Sequence, residues 1–139
     1  MSIMQGATTS FKVELLDGVH NFLTDTFKIA LYTGNASLDA STTVYSTSNE
    51  VTGTGYTAGG NTLTATTPTS SGTVAYVSFA NTSWASASFT ARAALIYNST
   101  QGNKSVAVLD FGSDKTVSSS TFTITFPVAD ASNAIVRIA

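Results

Sequence analysis

From Thr62 to its C-terminus the chain keeps a two-residue rhythm, the period of a strand with one buried face. Thr121-Phe-Thr-Ile-Thr-Phe126 alternates without a fault, aromatic or Ile to one side and Thr to the other. Phe89 to Tyr97 sets Phe89, Ala91, Ala93, Leu95 and Tyr97 against Thr90, Arg92, Ala94 and Ile96. The turn chemistry of Asn98-Ser-Thr-Gln-Gly-Asn103 then returns the chain as a partner strand from Lys104 to Phe111, a hairpin. Thr62–Thr66, Thr73–Ala80 and Ala134–Ala139 read as further strands, with Asn81–Ala85 as a turn carrying the only Trp and Pro127 ending the strand before it. About six to eight short strands behind a single helix predict a mainly β fold: an antiparallel β-sandwich or jelly-roll-like domain with one N-terminal amphipathic helix.

The opening is different. Residues 1–9 are small and polar and read as an N-terminal arm. Ser10 is placed to cap a helix over about 10–23, with Phe11, Leu15, Val19 and Leu23 on one stripe and Lys12, Glu14 and Asp17 off it. Gly18 weakens this helix by about 1 kcal/mol relative to Ala. Thr26–Thr33 follows as a strand, with Phe27, Ile29 and Leu31 facing one way and Lys28, Ala30 and Tyr32 the other. Residues 35–48 read as a long polar loop anchored by Val44 and Tyr45, with a short helical turn near Leu38. Nothing linker-like divides the 139 residues, so 10–139 is expected to form one β-sandwich domain.

Composition narrows the function classes. Only 10% of residues are charged, against roughly a quarter in ordinary soluble domains, and Ser and Thr supply the solvated faces instead. The six basic residues are scattered and the net charge is −2, so no footprint for nucleic acid is present. The chain has no cysteine, which removes disulfides, thiolate nucleophiles and Cys-ligated metals. Met-Ser-Ile-Met-Gln-Gly lacks the pattern of a secretory signal, and no stretch approaches the ~20 apolar residues of a spanning helix. Neither a membrane nor a cofactor is expected as a partner. A surface so poor in charge is weakly protected against association, which points to burial against neighbours.

The densest local signal is Asn49-Glu-Val-Thr-Gly-Thr-Gly-Tyr-Thr-Ala-Gly-Gly-Asn61. Gly53-Thr-Gly55-Tyr-Thr-Ala58 fits the loose form of a dinucleotide fingerprint, but that chemistry needs a helix starting inside the motif. Gly59-Gly60-Asn61 and strand-type sequence follow instead, and no acidic residue stands about 20 positions on. The stretch therefore reads as a structural or interaction loop shaped by Gly53, Gly55, Gly59 and Gly60, with Glu50 and Tyr56 as its fasteners. His20, the one histidine, reads as a helix-end residue favoured by the helix dipole. Without cysteine it cannot build the usual zinc sites, and no metal site is expected. Asp110 and Asp114 read as turn-capping residues, and the letters Asp110-Phe-Gly112 lack every other element of a kinase. No G-x-S-x-G elbow exists, and a paired-carboxylate role for Glu50 has no identifiable partner, so no catalytic residue is assigned.

Three blocks together resemble a group of small structural proteins of tailed bacteriophages. They are Phe27-Lys-Ile-Ala-Leu-Tyr-Thr33, Asn49 to Gly60, and the pair Ala91-Arg-Ala-Ala-Leu-Ile-Tyr-Asn98 with Ala107-Val-Leu-Asp-Phe-Gly112. The resemblance runs from about Phe11 onward. It implies a non-enzymatic virion component assembled in the bacterial cytoplasm and present as a homo-oligomer or in many copies. A capsid decoration or cement protein clamping subunits of the major capsid protein is the first expectation. A tail- or fibre-associated module touching a host glycan through loops 35–48 and 98–103 is the second.

Overall fold

The structure, a computed structural model, describes residues 3–139. Its elements in chain order are β1 (Gly6–Ala7), α1 (Thr9–Leu16), β2 (Phe27–Tyr32), β3 (Asn61–Thr62), β4 (Thr69–Ser71), β5 (Val74–Val77), β6 (Thr82–Asn98), β7 (Lys104–Ile124) and β8 (Val136–Ile138). Two antiparallel sheets form, one ordered β1-β7-β6-β2-β3 and the other β4-β5-β8, with α1 as the single short helix. The fold is mainly β, as the alternation predicts.

The β6–β7 hairpin dominates the large sheet. It absorbs two segments that the sequence reads as interruptions. Asn81–Ala85 is not a turn: β6 begins at Thr82 and buries Trp84 opposite Phe122. The stretch between Phe111 and Thr121 is not a gap either, because β7 runs through it. Gly112, at φ 82°, breaks only the register. Ala93 faces Asp110 but Ala91 faces Lys115, so Phe111–Asp114 bulges out opposite Arg92.

That bulge also changes which way side chains point. Phe89 and Ala91 pack into the main core, yet past Arg92 it is Ala94 and Ile96 that do so, while Ala93, Leu95 and Tyr97 turn to the opposite face. The single face expected for Phe89, Ala91, Ala93, Leu95 and Tyr97 is thus split in two. β2 crosses the region where both faces are covered. Phe27, Ile29 and Leu31 join the main core with Phe11, Phe79 and Trp84; Ala30 and Tyr32 join a smaller core with Ala36 and Leu38.

The N-terminal segment departs from the expected arm. Gly6 and Ala7 pair with Val108 and Ala107, Ile3 bridges to Leu38, and Thr8 is fully buried. Small side chains let this segment lie flat on the sheet edge. Met1 and Ser2, also assigned to the arm, lie outside the described residues. The helix is shorter than predicted, Thr9–Leu16 rather than about 10–23, and its cap is Thr8, whose Oγ1 accepts from the Phe11 N–H at 3.3 Å. Gly18 at φ 74° ends the helical path, so Val19 is only half-buried and Leu23 points to solvent.

Residues 35–48 contain no helical turn. Leu38 is held by the bridge to Ile3 and is buried, while Val44 leaves its side chain half exposed and anchors the loop through its backbone bridge to Lys104. Strand pairing is also scarcer than the sequence suggests around Thr62–Thr66, where only Asn61–Thr62 forms a ladder, with β2.

Candidate functional site

The glycine-rich stretch folds against the outer edge of β2. Glu50 bridges to Tyr32, the Val51 N–H donates to the Leu31 carbonyl at 2.9 Å, and Asn61–Thr62 pairs farther along the same edge. Residues 52–60 arch between these two anchor points. At Gly60, φ is 76° and a Cβ would overlap the Ile29 carbonyl oxygen, so no other residue fits without moving β2. Gly55 approaches β6 less tightly: a Cβ there would stand 2.9 Å from Ala87 Cα. Gly53 lies over Ser88 and Phe89, and Gly59 beside Lys28 and Tyr97.

Under the arch sits the Glu50 carboxylate, with the residue 8% exposed. Tyr45 donates its hydroxyl to Oε1 at 2.6 Å. Tyr56 donates to Oε2, and the Gly59 N–H donates to the same oxygen at 2.8 Å. The Tyr56 oxygen in turn accepts from the Leu31 N–H at 2.9 Å, which ties the arch to β2. Tyr97, stacked on Tyr45 with centroids 4.6 Å apart, donates to the Gly59 carbonyl at 2.7 Å. Tyr32 donates to the Ser46 carbonyl at 2.6 Å.

The electrostatics follow from burial beside one anion. Burial first, and then the Glu50 charge, pushes the Tyr97 hydroxyl up to about 12. Burial and the hydrogen bond to Glu50 raise Tyr45 and Tyr56 further. Tyr32 is raised by burial as well, against the opposing effect of its bond to Ser46. All four phenols therefore stay protonated as donors at ordinary pH.

The sequence singles out Glu50, Tyr56 and Gly59, and the structure brings them together; Gly53, Gly55 and Gly60 set the arch rather than touching the carboxylate. Tyr45 and Tyr97 complete the cluster and were missed. Tyr45 reads from the sequence as a loop anchor and stands only five residues before Glu50, whereas Tyr97 reads only as a strand residue with no local link to the loop.

A second polar cluster lies at the other end of β2 and β6. His20 is not a helix-end residue, because α1 stops at Leu16; it is buried between Phe11 and Phe27. Asn98 fixes its orientation. The Asn98 Oδ1 accepts from the Thr100 and Gln101 N–H groups, so Nδ2 donates to His20 Nδ1 at 3.0 Å and to Asp25 Oδ2 at 2.8 Å. That leaves Nε2–H to donate to Glu14 Oε1 at 2.9 Å. Burial raises the Asp25 carboxyl, but hydrogen bonds from Asn98, Asn21 and Gln101 together outweigh it and hold the group below its usual range. Asp110 Oδ1 accepts from the Gly112 N–H at 2.9 Å at the bulge, while Asp114 lies near Gly34.

Chemically, both clusters are closed. Each Glu50 oxygen and each His20 nitrogen is hydrogen-bonded within the chain. Among the described residues no group of three or more His, Cys, Asp or Glu could hold a metal ion, and no helix is long and apolar enough to cross a membrane. A groove of about 760 Å³ lies elsewhere, along the distal half of β7. No family model, no curated protein and no solved structure matches this chain.

Proposed function

We propose that this protein is a non-enzymatic structural component of a tailed-bacteriophage particle, serving on the head as a decoration or cement protein that clamps neighbouring capsid subunits. The observation that carries this reading is the contrast between its polar and apolar groups. The residues a catalytic reading would use are spent on holding the fold. Large apolar side chains, by contrast, face solvent: Leu16 is 90% exposed, Leu23 71% and Val128 70%. Such side chains are natural contacts for a neighbouring subunit. The resemblance of the three sequence blocks to phage structural proteins supports the same class.

The mechanism is linkage. A protein that binds only the assembled shell stabilises that shell by mass action, and many copies add their contributions. Heating decorated and undecorated particles tests it: decorated particles rupture at the higher temperature, and equal rupture temperatures would refute the clamp. The tail- or fibre-associated reading takes second place, because Tyr45, the aromatic of loop 35–48, is committed to Tyr97 and Glu50. Immunogold labelling separates the two by position.

A further inference from the structure

A hydrogen-bonded hub joins the tip of the β6–β7 hairpin to the chain between α1 and β2, and Asn98 is its centre. The residue is fully buried, and both polar atoms of its amide are engaged. Oδ1 accepts from the Thr100 N–H at 3.1 Å and the Gln101 N–H at 3.3 Å, which caps the turn. Nδ2 donates one hydrogen to Asp25 Oδ2 at 2.8 Å and the other to His20 Nδ1 at 3.0 Å. Asp25 Oδ2 also accepts from the Asn21 N–H at 3.0 Å and from Gln101 Nε2 at 3.3 Å, so the same hub closes the loop that follows α1.

The direction of each bond is fixed. Thr100 and Gln101 offer backbone donors, so Oδ1 faces them and Nδ2 faces the histidine; Nδ1 is therefore an acceptor and carries no proton. A proton on Nδ1 would set donor against donor. Turning the amide over gives no relief, because Nδ2 would meet the two turn amides and Oδ1 would meet the Asp25 carboxylate. The His20 side chain is fully buried, so water cannot repair the mismatch while the site is shut. Histidine is also the side chain whose ordinary charge change falls between about pH 5 and 8. Two anions face the ring. Glu14 accepts from Nε2 at 2.9 Å, a bond that both charge states can make, and Asp25 shares the Asn98 amide with it. β2 turns Phe27 to the ring, and Lys104 stands opposite Asn98 in the register of β7. The closed arrangement thus offers a proton two counter-charges but no acceptor at Nδ1. Opening supplies the acceptor, and that difference in affinity lets a proton shift the equilibrium.

We propose that His20, Asn98 and Asp25 form an acid-released latch: a proton taken at His20 Nδ1 breaks the Asn98 hub and frees the 98–103 turn together with the 21–25 loop. The release is local. Asn98 keeps its backbone place between Phe27 and Lys104, and the ladder behind it, from Lys28–Tyr97 to Tyr32–Ala93, does not involve the hub.

The latch goes beyond the particle reading and is measured on the isolated full chain, so the two stand or fall separately. A single histidine makes the measurement direct. Nitrogen NMR of the ring is expected to show the Nε2–H tautomer at neutral pH. As pH falls and the ring takes its second proton, the Thr100 and Gln101 amides lose hydrogen-exchange protection by about tenfold or more at the same midpoint, after correction for the intrinsic rate. The Leu95 and Ile96 amides, in the middle of the sheet, keep theirs. His20→Gln cannot take the proton, and its turn stays protected throughout. Asn98→Asp still caps the turn but offers Nδ1–H an acceptor, so the ring titrates at higher pH than in the wild type and the turn stays closed through the transition. Should either variant fail to fold, the wild-type titration decides alone. A ring that takes its second proton while Thr100 and Gln101 stay protected overturns the latch. So does a ring that stays neutral until the whole protein unfolds, loss of Leu95 and Ile96 protection at the same midpoint, or equal opening in His20→Gln.

Discussion

Glu50 illustrates how one buried anion can organise a loop. Its carboxylate replaces water with two phenols and a backbone amide, and charge-assisted bonds of this kind are the stronger ones. Tyr56→Phe removes the donor to Oε2 and leaves the Leu31 N–H without its acceptor, so stability falls by about 1–3 kcal/mol. Glu50→Ala strands three donors at once and costs more than Tyr56→Phe. Urea unfolding monitored by the single Trp84 checks both. Gly60→Ala sets a methyl group against the Ile29 carbonyl and is expected to exceed the ~1 kcal/mol of an average substitution, to the point of preventing folding. Much of this was legible: Glu-Val-Thr-Gly-Thr-Gly-Tyr puts an acid, two glycines and a phenol within reach. Tyr97 was not, because its place beside Gly59 depends on β6 pairing with β2, which no local pattern records; Tyr45, only five residues before Glu50, was open to the same local reasoning as Tyr56.

At the scale of elements, propensity and pattern located the strands but not their ends. Alternation is strongest where one face is buried, as in Thr121–Phe126, and it blurs where both faces are covered, as in Ala93–Asn98. Gly112 looked like a terminator and is a bulge, because continued pairing with β6 outweighs one glycine. The helix erred the other way. Leu23 kept the 3.6-residue stripe, yet Gly18 turned the chain aside and His20 docked on Asn98 instead. The cap of α1 also fastens the helix to the sheet, since the Thr8 and Ser105 hydroxyls meet at 2.9 Å inside the core. Thr8→Ala is expected to lower stability by about 1–2 kcal/mol, at the upper end for a cap. Thr8→Ser should restore most of it, and thermal unfolding of the three proteins gives the comparison.

For the whole molecule, the phenols around one anion set an alkaline limit. Folding raises the Tyr97 hydroxyl from its ordinary value of 10.0 to about 12, so the folded state holds that proton more tightly than the unfolded chain. The associated stability is fully present below about pH 10 and is lost as pH rises through 12; Tyr32, Tyr45 and Tyr56, raised in the same sense, steepen the loss. Unfolding and tyrosinate absorbance are expected to rise together in one cooperative step above pH 10. Gradual ionisation of these phenols in a still-folded protein would contradict the closed cluster. The coarse architecture was readable from the chain because a mainly β sandwich is a matter of period and turn spacing. The pairing of β6 with β7 over so great a length depends on long-range register instead.

The change of phase at Arg92 carries a consequence for how freely this chain can vary. On the Thr82–Ala91 side the hairpin is covered on one face, so Trp84, Ala87, Phe89 and Ala91 answer to the core and the positions between them are freer. From Ala93 to Asn98 every position is buried, and each is held by a neighbour on one face or the other. A complete substitution scan along β6 should therefore show sensitivity at Trp84, a three-residue step to Ala87, a period of two from there to Arg92, and no tolerance over the next six residues. One strand would carry two substitution regimes, with the boundary drawn by a bulge in its partner.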